Sequence, residues 1–354
     1  MKTSIKVAIM AGGTGGHIFP GLAVARELIK KDVEVVWLGA VGGMEEDLVK
    51  QNNIPLKLLT IKGLRGKGIK GLMTMPFKLF NATRHAAKYF KQEKVDAVIS
   101  MGGYVAGPGG LAAKFKGLPL LVHEQNSKFG MTNKYLSKWA SKVLTGFDLN
   151  KIYGSKWVGN PVREEIENTV KEAKQSNNIN VLIIGGSLGA NSLNTIVPKL
   201  LKGHLQSAKI SVLHQCGKNN STKTFKNYQE TNQDNVEVHE FINNMSQAYG
   251  WADFVIARAG ALTIAEINAV GLPAIFVPYP YAVDDHQTSN AKNIVDHFAG
   301  YIWQESQDEK KLSKMISELI ENNNLRDEMA VNSKSLHKTN SALTVAEICL
   351  EMVA

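Results

Sequence analysis

Cysteine is almost absent from this 354-residue chain: Cys216 and Cys349 stand far apart and fit no metal-binding or redox spacing. A disulfide scaffold, a zinc ribbon and a thiol redox centre are therefore excluded, and both residues read as free thiols of a reducing compartment. Long hydrophobic runs are missing too. The apolar stretches are strand-sized, and the N-terminus offers only Val7 to Ala11 between its lysines and the glycines. Neither a signal peptide nor a membrane span is expected, so the chain reads as soluble, globular and cytoplasmic.

Acid is scarce in one place. Between Lys57 and Lys94 stand ten basic residues (Lys57, Lys62, Arg65, Lys67, Lys70, Lys78, Arg84, Lys88, Lys91 and Lys94) against the single acid Glu93, which accounts for the whole net charge of +9. The same stretch carries Leu72, Met73, Met75, Phe77, Leu79 and Phe80. Basic and apolar residues mixed over two dozen positions have the composition of an interfacial membrane contact. A solvated basic helix with its apolar side on the core fits the same composition. A charge excess confined to one segment argues against nucleic acid as the partner.

What the chain does have is a rhythm. Strand-like runs at Lys6–Met10, Val33–Leu38, Leu56–Ile61, Ala97–Ser100, Pro119–Val122 and Lys142–Leu144 alternate with helical segments. A second series follows at Asn180–Ile184, Ile210–Leu213, Val236–His239, Phe254–Ile256 and Ala274–Val277. This predicts an α/β protein of two doubly wound units with parallel sheets, and after Lys310 the chain reads as helical to its end. The units echo each other: VAIMAGGTGGH begins at Val7 and VLIIGGSLGAN at Val181, which sets Gly12 on Gly185, Gly13 on Gly186, Thr14 on Ser187 and Gly16 on Gly189. Ligands of such sheets bind beyond the carboxyl ends of the strands. Two units facing one another would bring both loops to one cleft, a donor on one side and an acceptor on the other.

Neither loop belongs to the two common nucleotide classes. A dinucleotide fingerprint starting at Gly13 needs a third glycine where Ile18 stands, and the second strand ends without a ribose-binding acid. A P-loop needs a terminal Gly-Lys-Ser/Thr, which both loops lack. What remains is glycine backbone able to approach an anion, followed by a helix N-terminus. His17, at the end of the first loop, reads either as a helix-entry histidine bonded to backbone or as a general base. Other polar clusters close further strands: Ser100–Tyr104, His123–Asn126, Arg258–Glu266 and Asp284–Asn290. A helix is expected to open near Ala261, with Glu266 about a turn in, able to accept from ribose hydroxyls or simply favouring the dipole. A metal site at Asp284, Asp285 and His286 is conceivable on paper, but acids and imidazoles sharing one loop more often stay unligated.

The segments GGTGGHIFPGLAVA, GLRGKGIK, MGGYVAGPGG, HEQN, VGNPVR, GGSLGAN, RAGALTIAE and DHQTSNA follow one another along nearly the whole chain. In that order they resemble the MurG family of bacterial N-acetylglucosaminyltransferases. The resemblance implies a GT-B fold, with an acceptor- and membrane-associating domain at 1–160 joined by a C-terminal helix at about 340–354, and a donor domain at 161–339. It implies transfer of GlcNAc from UDP-GlcNAc to the C4 hydroxyl of MurNAc in undecaprenyl-pyrophosphoryl-MurNAc-pentapeptide (lipid I), with inversion and without metal or cofactor. Carried over residue by residue, donor contacts fall on Thr14, Gly15, Gly16, Asn126, Arg163 and Ser187. Ile242 would meet uracil, and Ala261, Leu262, Thr263, Ile264, Ala265 and Glu266 would hold the diphosphate and ribose. Gln287 would bond the GlcNAc hydroxyls, His17 rises as candidate base, and the opening loop would face the acceptor's pyrophosphate.

The family setting is the cytoplasmic face of the inner membrane. It turns the Lys57–Lys94 stretch toward docking on anionic lipid and admits other cell-wall proteins as partners. Two departures stand out: Leu188 replaces the usual glutamine of the second loop, and Cys216 stands where the family tends to have a smaller or hydroxylated residue. Rival readings are another GT-B enzyme of UDP-sugars, such as a different transferase or an epimerase, and a catalytically silent lipid-associated scaffold.

Overall fold

Along the first strand Val7, Ile9 and Ala11 join one apolar cluster while Ala8 and Met10 join another, and all five are fully buried. A strand apolar on both faces belongs inside a parallel sheet covered by helices on both sides, because side chains alternate with a period of two. The structure is a computed structural model describing residues 4–61, 74–149, 152–172, 178–186, 189–229 and 233–354. It divides into one unit of Met1–Arg163 with Lys338–Ala354 and a second of Glu164–His337.

The first unit holds strands β1 (Lys6–Ala11), β2 (Glu34–Ala40), β3 (Leu56–Leu59), β4 (Ala97–Gly102), β5 (Leu120–Glu124), β6 (Lys142–Thr145) and β7 (Lys156–Trp157). They form a parallel sheet in the order β3-β2-β1-β4-β5-β6-β7, with Ile9 opposite Trp37 on one side and Ile99 on the other. The direction of winding reverses between β1 and β4, so the loops leaving these two strands flank the switch point where ligands of such sheets bind. Helix α1 (Gly15–Lys30) and the C-terminal helix Ser341–Glu351 share the cluster of Val7, Ile9 and Trp37. There Val345 and Ile348 contribute about 1.5–3 kcal/mol each by burial. Helix α2 (Met75–Glu93) packs Ala82, Ala86 and Phe90 on the other face. Gly21 of α1 lies over Trp37, where a Cβ would come within 2.6 Å of the indole.

The second unit repeats the plan with β8 (Ile179–Ile184), β9 (Ile210–Gln215), β10 (Val236–His239), β11 (Phe254–Ala257), β12 (Ala274–Phe276) and β13 (Gly300–Ile302). Their order is β10-β9-β8-β11-β12-β13, again all parallel, with the switch between β8 and β11. Helix α3 (Asn191–Gln206) follows β8 and α4 (Ala261–Val270) follows β11. The apolar runs miss β7 and β13, a two-residue and a three-residue edge strand too short to make a run. β3 is shorter than the run that marks it, because the chain turns after Leu59 and the Ile61 amide bonds back to its carbonyl at 2.9 Å. Beyond Lys310 the helical stretch breaks twice, at the cap Asn322 and at Asn340, whose φ is +57°.

Candidate active site

β1 ends under a tryptophan: the Trp37 indole donates to the Ala11 carbonyl at 3.0 Å, satisfying the last strand carbonyl as the chain leaves the sheet. Gly13 then turns the backbone with φ +94°, a conformation that L side chains rarely adopt. Beneath the turn Glu45 is fully buried, its Oε1 accepting from the Ala40 amide at 2.8 Å and its Oε2 from the Gly13 amide at 3.2 Å. The Gly13 amide is therefore committed to protein. The loop's capacity for an external anion lies at the start of α1, where Thr14 supplies no side-chain cap and no acid stands in the first turn. Such a helix end presents backbone N–H groups and positive dipole, and Thr14 and Gly16 are exposed there.

His17 is fixed from the neighbouring loops. A Cβ on Gly102 (φ +102°) would come 3.1 Å from its ring, and one on Gly103 would fall 2.3 Å from the Gly12 carbonyl, so the two loops approach backbone to backbone. Its Nδ1 lies 2.9 Å from Gln125 Oε1. Gln125 Nε2 in turn lies 3.1 Å from His123 Nδ1 and 3.1 Å from the His123 carbonyl, and His123 Nε2 lies 2.9 Å from the Gly159 carbonyl. His123 is fully buried, and burial pushes its pKa down to about 4, against a smaller opposing effect of the Gly159 carbonyl. It is neutral at pH 7.

Next to this line Glu124, also buried, gathers four donors: the Asn126 amide at 3.0 Å, Asn126 Nδ2 at 3.1 Å, the Gly130 amide at 3.0 Å and Asn133 Nδ2 at 3.0 Å. Asn126 is thus oriented by Glu124. The Arg163 guanidinium sits 5.2 Å over the ring of Phe19, one turn into α1. Thr14, Gly15, Gly16, His17, Asn126 and Arg163 accordingly all lie in the first unit, on β1–α1, on the segment after β5 and at the end of the unit's first chain segment.

In the second unit Ser187 and Leu188 lie outside the described residues; the glycines flanking them, Gly186 and Gly189, have φ +81° and +78°. Both α3 and α4 start without a side-chain cap or a first-turn acid. The expected helix opens at Ala261, and Leu262, Thr263, Ile264, Ala265 and Glu266 lie on its first turns. Glu266 is buried and its Oε2 accepts from the Tyr249 hydroxyl at 3.1 Å. Ile242, nearly buried, donates its amide to Gln215 Oε1 at 3.3 Å and lines a cavity of about 510 Å³ with Phe241, Asn243, Asn244, Gln247 and Trp251. Glu172, Asp234 and Glu237 on that cavity suit a neutral ring and repel a diphosphate.

Gln287 accepts from the Tyr279 amide at 2.9 Å. Arg258 holds the same turn, donating to the Val277 and Pro278 carbonyls at 3.1 and 3.2 Å, stacking on Tyr279 and pairing with Glu305 at 2.6 Å. It also donates to Ser192 at the start of α3, so one arginine ties the α3 N-terminus to the turn that Gln287 bonds. The sequence marks His123, Gln125 and Arg258 only as members of polar clusters, with no role of their own, and marks Glu45 and Tyr249 not at all. Three of them stand in stretches whose polarity at a strand end was the available signal.

The basic and apolar stretch is described in part: Lys62, Arg65, Lys67, Lys70, Leu72 and Met73 lie outside the described residues. On α2 Phe77 and Phe80 are 71% and 65% exposed, flanking exposed Lys78, with Arg84, Lys88 and Lys91 exposed further along. These two phenylalanines therefore do not face the core. No helix among the described residues is long and apolar enough to cross a membrane.

Comparison with known proteins matches this architecture. Residues 7–145 match the glycosyltransferase family 28 N-terminal domain and residues 180–350 its C-terminal domain. A protein of Pseudoalteromonas translucida named UDP-N-acetylglucosamine--N-acetylmuramyl-(pentapeptide) pyrophosphoryl-undecaprenol N-acetylglucosamine transferase is 43% identical, over 98% of each chain. One of the same name from Pseudomonas syringae is 41% identical over 98% of each. Among solved structures, Acinetobacter baumannii MurG superposes with a TM-score of 0.84 at 40% identity, covering 98% of this chain and 100% of that one. The chain belongs to the MurG family. The kitacinnamycin glycosyltransferase, at 13% identity and a TM-score of 0.76, shares the fold alone, which is the two-unit GT-B architecture of this MurG-family glycosyltransferase. Membership covers both units: the matched segments run from β1 to β6, leaving out only the edge strand β7 of the first sheet, and from β8 into the C-terminal helix.

Proposed function

We propose that this chain transfers N-acetylglucosamine from UDP-N-acetylglucosamine to the C4 hydroxyl of N-acetylmuramyl-pentapeptide carried on pyrophosphoryl-undecaprenol, with inversion at the anomeric carbon. The observation that carries the reading is full-length identity above 40% to transferases named for this reaction. The geometry of the two loops is compatible with it. In this reading the acceptor hydroxyl gives its proton to His17 as its oxygen bonds to the sugar's anomeric carbon, and the bond to UDP breaks with the electron pair leaving on the diphosphate. Amides at the start of α4 and the Arg163 guanidinium stabilise the departing charge, since fixed donors placed where charge develops act on the transition state. Glu266 holds the ribose, Ile242 the uracil, Gln287 the sugar hydroxyls, and the start of α1 meets the acceptor's pyrophosphate. The test is UDP release from UDP-N-acetylglucosamine with and without a short-chain analogue of the lipid acceptor. Release that depends on the acceptor is expected; acceptor-independent chemistry, or none despite tight UDP binding, overturns the reading.

A second reading concerns where the enzyme works. Phe77 and Phe80, exposed beside Lys78, support peripheral docking on an anionic membrane surface at the cytoplasmic face, apolar rings entering the interface and lysines meeting lipid phosphate. Changing Phe77 and Phe80 to Ser together with Lys78→Glu should weaken co-sedimentation with anionic vesicles by at least tenfold. Equal binding by the variant removes this surface from the account.

A further inference from the structure

The line of contacts from His17 to Gly159 has a direction, and two backbone carbonyls set it. At one end Gly159 O only accepts, so His123 Nε2 carries a hydrogen. Because His123 is buried and neutral, its Nδ1 is then a bare acceptor. Gln125 Nε2 supplies one hydrogen to that nitrogen and its other to the His123 carbonyl, the second fixed acceptor, which excludes the flipped amide. The Gln125 oxygen is thereby turned toward His17, and the 2.9 Å contact requires His17 Nδ1 to be the donor. The remaining nitrogen, Nε2, makes no hydrogen bond among the described residues.

We infer that Gln125 and His123 are positioning residues that lock neutral His17 in the tautomer protonated on Nδ1, keeping the Nε2 lone pair available for the acceptor hydroxyl. Free imidazole prefers the opposite tautomer, in which Nε2 is blocked. The lock corrects this in the resting enzyme, and the Gln125 oxygen continues to accept from Nδ1–H when Nε2 takes the proton. The burial of Gln125, 1% exposed, keeps water from competing for its oxygen. Asn160 Nδ2 donates to the Gln125 backbone carbonyl at 3.0 Å, so the same turn that ends the line also holds its middle residue. The inference rests on His17 acting as the base, but the tautomer is measured without turnover.

In protein labelled with 15N-histidine, long-range proton–nitrogen correlation spectra at pH 8 should show His17, assigned by its loss in His17→Ala, with Nδ1 protonated and Nε2 bare. Gln125→Met, close in volume but without the amide, should return His17 to the Nε2-protonated form. It should lower kcat about tenfold to a hundredfold while the KM for UDP-N-acetylglucosamine stays within twofold. A wild-type His17 protonated on Nε2 overturns the proposal by itself, whatever the variant does. So does a folded Gln125→Met protein with an unchanged tautomer. If instead the tautomer is as stated and His17→Ala turns over normally, the lock stands and the assignment of the base falls.

Discussion

The two glycine loops occupy the same place in the two sheets, each after the first strand of its unit and each turned by glycines with positive φ, yet they are built for different work. In the aligned register His17 falls opposite Ala190, a half-buried titratable ring against a buried methyl. The first loop brings with it a hydrogen-bonded line through Gln125 and His123 and a carboxylate, Glu45, beneath the turn. The second brings an arginine locked by carbonyls and a helix start tied to the turn after β12. Under the proposed function the same backbone device would serve proton transfer in one unit and the holding of an anionic leaving group in the other. The difference lies in which side chains the strands deliver to the loop.

The sharpest way to break that contrast is His17→Ala. A positioned general base contributes about 10²- to 10⁴-fold, so kcat should fall by that factor while calorimetric UDP affinity, a property assigned mainly to the other unit, stays within twofold. Turnover near wild type would make the first loop a second anion cradle and erase the contrast. The mirror experiment is Glu266→Gln, which removes a charged acceptor. UDP-N-acetylglucosamine should bind about tenfold to a hundredfold more weakly, a loss of about 1.5–3 kcal/mol, with the KM for the lipid acceptor unmoved. An unchanged donor affinity would mean that the buried carboxylate serves contacts within the protein, such as that with Tyr249, and not the ribose.

The fold was legible because the central strands of both sheets are buried on both faces. Each strand longer than three residues falls in one of the strand-like runs, and the repeat at Val181 reveals the second unit. Edge strands β7 and β13 have no such run, since two or three residues at an edge need no apolar alternation. The site was legible in its loops and not in its supports. HEQN reads as polar, but that Gln125 turns its oxygen to His17 depends on Gly159, 36 residues beyond His123, supplying a carbonyl. Glu45 looks like any acid at a helix start until the fold slides it under Gly13. The orientation of Phe77 and Phe80 was open for a related reason: a helix mixing basic and apolar residues has two plausible faces, and packing chose Ala82, Ala86 and Phe90 for the core.

The smallest effect separates the loops by space alone. Gly186 has φ +81° and a Cβ there would meet nothing within 4 Å among the described residues, so Gly186→Ala should cost only the left-handed backbone term, about 1 kcal/mol in a urea melt. At the aligned Gly13, φ +94°, the added methyl meets the Tyr104 ring at 3.1 Å. Gly13→Ala must therefore pay the same backbone term and also push the ring aside, for about 2 kcal/mol in total. The two substitutions have identical chemistry and equivalent positions. Equal losses would mean that Tyr104 yields freely and that the first loop is packed no tighter than the second, whereas a larger loss at Gly13 locates the rigidity on the side where His17 has to be held.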